Sequence, residues 1–151
     1  MTITYKELVN ELKTKLKIKN ISFKKIFNLI NKEEYDEITI KIDDENILDL
    51  IVKIIVKRED IAKYFEQKLN DLNWLNEELV KFNRPQQLSV NKARQLLRTI
   101  FINIYDLADK QYDKETTKEL FKEDLKENPD RRYPLKVAKQ YNTFKLFLKK
   151  I

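Results

Sequence analysis

Hydrophobic positions recur at three- and four-residue intervals through most of the chain, the spacing of helices with one apolar face. The run around which the rest is expected to be organised spans Ser89 to Gln111. Val90, Ala93, Leu97, Ile100, Phe101, Ile104 and Ala108 share a face there, flanked by Leu96, Tyr105 and Leu107. This spacing predicts one helix of six turns, capped by Ser89 after the helix-breaking Pro85, with the other helices wrapped around it.

The same periodicity marks the other elements. Thr4 to about Lys19 predicts a first helix, with a Thr4–Glu7 capping box and a stripe of Tyr5, Leu8, Val9, Leu12 and Leu16. Ser22 caps a short second helix ending near Asn31, with Phe23, Ile26, Phe27 and Ile30 inward. This close pair resembles half of a helix-turn-helix only in outline, since plain helix packing produces the same pattern. Between Tyr35 and Ile42, Ile38, Ile40 and Ile42 alternate with Thr39 and Lys41, the period-two signature of a strand. A lone strand has no partner, so the segment either pairs with an unrecognised strand or another chain's sheet, or is a helix or extended connector. Asp43 and Asp44 open an almost wholly buried helix in which Ile47, Leu50, Ile51, Ile54 and Ile55 form the stripe, widened by Leu48, Val52 and Val56. A long helix from Glu59 to Phe82 follows, either separate from that one or continuous with it, with Trp74 off its main line. The break at 83–87 then precedes the central helix. Lys114 to Glu127 forms a weaker helix with Leu120, Phe121 and Leu125 inward, stopped by Asn128-Pro129. Leu135 to Ile151 makes a last helix with Val137, Tyr141, Phe144, Phe147, Leu148 and Ile151 on one face. The expected fold is all-α: one domain over residues 1–151, a bundle of about six helices, with room for one short β-strand near 37–42. A division into 1–83 and 89–151 at the 83–88 break is the alternative organisation.

Composition narrows the chemistry. The chain has no Gly, no Cys and no His, where average Gly usage of about 7% would supply roughly ten. Turns must therefore rest on Asn and Asp, and Gly-rich phosphate loops are excluded. Without Cys or His there is no thiolate nucleophile, imidazole base or Cys/His metal site. Adjacent acids such as Asp43-Asp44 and Glu59-Asp60 diverge on a helix and read as caps and first-turn acids. No catalytic constellation, cofactor or metal is expected, and the chain reads as non-enzymatic. No apolar run is long enough for a transmembrane helix and the N-terminus lacks a signal-peptide core, so an intracellular protein is expected. Lys, Ile and Asn make up over a third of the residues. AT-rich coding DNA, as in a virus or plasmid, produces this bias, so no single lysine carries much weight.

Charge changes the picture more. Residues 1–32 hold eight lysines and two glutamates, residues 33–130 hold 16 basic and 23 acidic residues, and residues 131–151 hold seven basic residues and no acid. The first helix ends in Lys13, Lys15, Lys17 and Lys19, which suit the helix dipole without any ligand. The central helix carries Lys92, Arg94 and Arg98 at its start, the wrong end for the dipole, so an offsetting anion is expected: Glu77 and Glu78, or a phosphate. The last segment presents Arg131, Arg132, Lys136, Lys139, Lys145, Lys149 and Lys150. The expected function is an accessory protein holding nucleic acid by non-specific phosphate contacts through these residues, with Arg94 and Arg98 as a second patch. The alternative is an interaction or assembly protein whose basic ends dock an acidic protein partner. No small-molecule substrate is expected. Against both stands the arrangement in which the basic ends fold onto the acidic middle and neutralise it.

Overall fold

A computed structural model of the chain describes residues 3–110 and 115–148. The fold is all-α. Among the described residues there are ten α-helices and no strand: α1 (Tyr5–Ile18), α2 (Phe23–Asn31), α3 (Tyr35–Lys41), α4 (Glu45–Lys68), α5 (Leu72–Lys81), α6 (Val90–Arg98), α7 (Ile104–Asp109), α8 (Lys118–Glu127), α9 (Leu135–Ala138) and α10 (Asn142–Phe147). A 3-10 turn at Pro129–Arg131 links α8 to the last two helices. One hydrophobic core runs from Tyr5 to Phe147.

The central position belongs to α4, against which α1, α7, α9 and α10 all pack. At 24 residues it joins the first part of the expected Glu59–Phe82 helix to the one before it. Its buried stripe is Ile47, Leu50, Ile51, Ile54, Ile61, Ala62 and Phe65. Val52 and Val56, expected to widen that stripe, face solvent at 56% and 52% exposure. The second part of the expected helix is separate. Asp71 turns its carboxylate onto the Trp74 N–H at 3.2 Å and starts α5 afresh. Trp74 then packs edge-on against Tyr64 and Phe65.

The segment expected to be the central helix, 89–111, is two helices. Ser89 caps α6 as expected, but Arg98 ends it. Thr99 returns its hydroxyl to the Leu96 carbonyl at 2.6 Å, and Phe101 forms an antiparallel bridge with Thr116. Asn103 then caps α7 through the Tyr105 N–H. Thr and Asn offer the backbone local partners that compete with the helix, which a count of apolar spacing does not register. Gln111 and Lys114 lie outside the described residues.

The strand expected at 37–42 is helix α3. Ile38 and Ile42, four apart, are buried to 2% and 1%, while Ile40 is 81% exposed. Three isoleucines at alternate positions fit a strand by spacing alone. Here two of them lie on one helical face and the third points away. The lone strand would have left its backbone groups unpaired, whereas the helix satisfies them internally.

The expected helix Leu135–Ile151 is also divided. Glu66 of α4 accepts from the Thr143 and Phe144 N–H groups at 3.0 and 2.8 Å, so a carboxylate from the middle of the molecule starts α10. Phe144 and Phe147 are buried, and Phe144 stacks on Phe65 at 5.5 Å. In α8, Phe121 and Leu125 face inward as expected, but Leu120 is 58% exposed.

Without glycine, the chain makes its left-handed turns at Asn20, Glu33, Asn83 and Lys110. The two asparagines follow the expected turn chemistry; Glu33 and Lys110 adopt positive φ despite ordinary side chains.

At the centre, Arg58 is 3% exposed. It donates to Asn31 Oδ1 at 2.6 Å and lies over the Phe27 ring. Tyr5 and Tyr105 stack beside it with ring centroids 3.7 Å apart. Burial opposes its charge, but those two phenols favour it and the guanidinium stays protonated. Burial also pushes the Tyr5, Tyr105 and Tyr133 phenols above their ordinary range. Their hydroxyls donate to the carbonyls of Asp130, Arg132 and Arg58 respectively.

Candidate binding surfaces

Of the five basic residues described in the C-terminal segment, three have partners within the molecule. Arg131 forks onto Asp106 with bonds of 2.8 and 2.6 Å, and its Nε reaches Asp124 at 3.0 Å. The hydrogen bonds to Asp106 raise its pKa still further, against the opposing effect of burial. Arg132 donates to the Leu125 and Lys126 carbonyls, closing the C-terminal end of α8. Lys136 pairs with Glu33 at 3.3 Å. Arg98 donates to the Phe147 and Leu148 carbonyls, and Arg94 to Asn91. Lys139 and Lys145 are exposed and form no ion pair among the described residues. Lys149 and Lys150 lie outside the described residues. No single basic helix exists to carry these side chains. The fold does bring Arg131, Arg132 and Lys145 together around one cleft of about 500 Å³.

A groove along α1 shows how the acidic middle is matched. Lys6, Asn10 and Lys13, on one stripe of α1, face Asp106, Asp109, Asp124, Asp130 and Arg131. Lys13 approaches Asp130 at 3.9 Å. Asp109 accepts from the Lys6 N–H at the start of α1. Burial lifts the Asp109 carboxyl above the usual aspartate range, and the backbone N–H groups of Lys6 and Tyr5 partly offset this.

The same stripe continues past Lys13 into different surroundings. Lys13 and Lys17, one helical turn apart, line a second groove with Asn20, Ile21, Ser22 and Phe23. Phe23 is half-buried, and the Lys13 ammonium sits 5.0 Å from its ring centre. From Lys13 to Lys25 the chain holds six lysines and no acid. Lys19 pairs with Asp44 at 3.2 Å, and that contact, with the backbone N–H groups of the α4 cap, holds the Asp44 carboxyl below its usual range. Among the described residues, Lys15, Lys17, Lys24 and Lys25 form no ion pair. A half-exposed aromatic ring among unpaired cations can place a phosphate beside a stacked base. The sequence reading assigned Lys13, Lys15, Lys17 and Lys19 to the helix dipole and gave Lys24 and Lys25 no role. The signal it passed over was the acid-free run across the turn, from the end of α1 to the start of α2.

Among the described residues no helix is long and apolar enough to cross a membrane, and no group of acids is placed to hold a metal ion. Comparison of the chain with protein-family models, with curated proteins and with solved structures gave no match.

Proposed function

We propose that this chain is a non-enzymatic binding protein that holds nucleic acid by its phosphates, with the α1–α2 turn as the main contact surface. The observation that carries the reading is the acid-free run of six lysines across the α1–α2 turn: Lys13 lies over the Phe23 ring, Lys13 and Lys17 line one groove with it, and four of the six have no ion-pair partner among the described residues. Lysine ammonium groups on a solvent-facing edge neutralise phosphates and release counterions, giving sequence-blind and salt-sensitive affinity. Phe23 adds a stacking face, which favours single strands over duplex. Of the C-terminal residues, Arg131 and Lys136 hold carboxylate partners, Arg132 donates to two backbone carbonyls, and Lys139 and Lys145 form no ion pair among the described residues.

Fluorescence anisotropy with labelled single- and double-stranded oligonucleotides tests the reading. Engagement of four phosphates on duplex predicts a log–log salt slope of about −3.5. Absence of binding at low salt removes the nucleic-acid reading. A second reading, an acidic protein partner, is favoured by one observation: Leu135 and Leu146 are 61% and 71% exposed next to Lys136 and Lys145, an apolar-plus-basic surface that suits an acidic amphipathic segment.

A further inference from the structure

We propose that the cleft between α8 and α10 binds a small apolar molecule with one anionic head, a long-chain carboxylate. The cleft shares no residue with the α1–α2 groove, and the inference does not depend on the nucleic-acid reading. Its deep walls are buried hydrocarbon and aromatic rings: Leu97, Ile100, Leu107, Phe121 and Phe147. At about 500 Å³ it falls inside the range of about 300–1,000 Å³ typical of small-molecule sites. A cavity walled this way offers water few partners and favours an apolar occupant.

Charge at its edge selects the head group. Among the described residues, the exposed side chains lining the cleft are Arg132, Leu135 and Lys145, and no acid lines it. Arg131 also borders it, but its fork is closed onto Asp106 and Asp124. Arg132 uses Nε and one terminal nitrogen on the α8 carbonyls. Its other terminal nitrogen makes no hydrogen bond among the described residues, and Lys145 has no ion-pair partner there. Two cations at the solvent edge of a largely apolar cleft favour a carboxylate over a neutral polar group, because a charge-assisted hydrogen bond is roughly twice as strong as a neutral one. The apolar tail would lie against Ile100 and Phe147 while the head stays at the rim.

The test is titration of the full chain with a dansyl-labelled undecanoate, followed by displacement with dodecanoate or dodecan-1-ol. The expected result is micromolar binding, displaced by dodecanoate at least about tenfold more readily than by the alcohol. Lys145→Glu, at an exposed position, should weaken dodecanoate by about fivefold or more and leave the alcohol unchanged. Ile102→Trp, at a half-buried lining position, should abolish probe binding while a thermal melt shows the domain intact. No fluorescence change overturns the proposal, as does unchanged probe binding by a folded Ile102→Trp chain. Equal displacement by acid and alcohol overturns the anionic head. Binding to phosphatidylglycerol vesicles without binding to monomeric dodecanoate overturns the free carboxylate as ligand.

Discussion

The two ends of this chain carry nearly the same excess of positive charge, but the arginines of one end and the lysines of the other are engaged differently. At the C-terminal end, arginines turn inward: Arg131 clamps Asp106 and Asp124, and Arg132 closes the last carbonyls of α8. At the N-terminal end, lysines on the α1–α2 turn stay outward, and two of the six between residues 13 and 25 have a carboxylate partner. Chemistry explains the division. A guanidinium presents a rigid fork that matches a carboxylate in two bonds and is weakly hydrated, so it tolerates partial burial. An ammonium is a strongly hydrated point charge on a flexible stem, and burial costs it more. Net charge alone therefore misplaces a binding surface when the two kinds of cation are counted as equal.

The largest effect should come from breaking the inward end. Arg131→Ala leaves Asp106 and Asp124 without their shared partner and should lower unfolding free energy by about 2–3 kcal/mol in urea titrations. Arg131→Lys should recover less than half of that, because one ammonium cannot reproduce both the fork onto Asp106 and the Nε bond to Asp124. An unchanged urea midpoint for Arg131→Ala would remove the contrast between the ends.

Glu66 tests the same end by another route. It holds the start of α10 through two backbone N–H groups. Glu66→Ala should cost about 1–2 kcal/mol and speed amide exchange over 142–147 more than over α1. Uniform exchange would mean that α10 is held by its phenylalanines alone.

The outward end should behave in reverse. Lys17→Glu with Lys24→Glu should leave stability within about 0.5 kcal/mol while weakening oligonucleotide binding by about tenfold or more. A destabilised variant would place those lysines in the fold instead of on the ligand.

The smallest effect concerns Asp109, at the seam between the ends. Its folded pKa is raised, so the folded chain holds that proton more tightly than the unfolded chain does. Its contribution is therefore most favourable in acid and falls as pH rises from the ordinary aspartate value through the raised one. Asp109→Asn should flatten the dependence of melting temperature on pH in that window. A slope identical to that of the parent would assign the dependence to other carboxylates.

Helical class and inward faces were legible wherever the apolar spacing was unambiguous. The α1 stripe, the Thr4–Glu7 capping box and the Ser22 and Ser89 caps all stand where the residues indicated. Misreadings fell where a polar side chain could bond its own backbone or reach across the fold. Thr99 and Asn103 divide residues 89–111, Asp71 restarts a helix after α4, and Glu66 caps α10 from 77 residues away. The first three are local and could have been weighed; the last is tertiary and leaves no trace in nearby residues. The strand reading of 37–42 failed because period two and period four coincide on Ile38 and Ile42. For the binding surface, the sign of the charge was legible but its orientation was not, since orientation depends on which acids the fold brings alongside.

The phenols around Arg58 give the molecule a built-in alkaline indicator. Tyr5, Tyr105 and Tyr133 all resist ionisation because burial raises their pKa. Native stability must then decline as pH climbs past the ordinary tyrosine value of about 10. In an ultraviolet titration these three rings should stay silent while exposed tyrosines turn to phenolate, then ionise together in one cooperative step as the core opens.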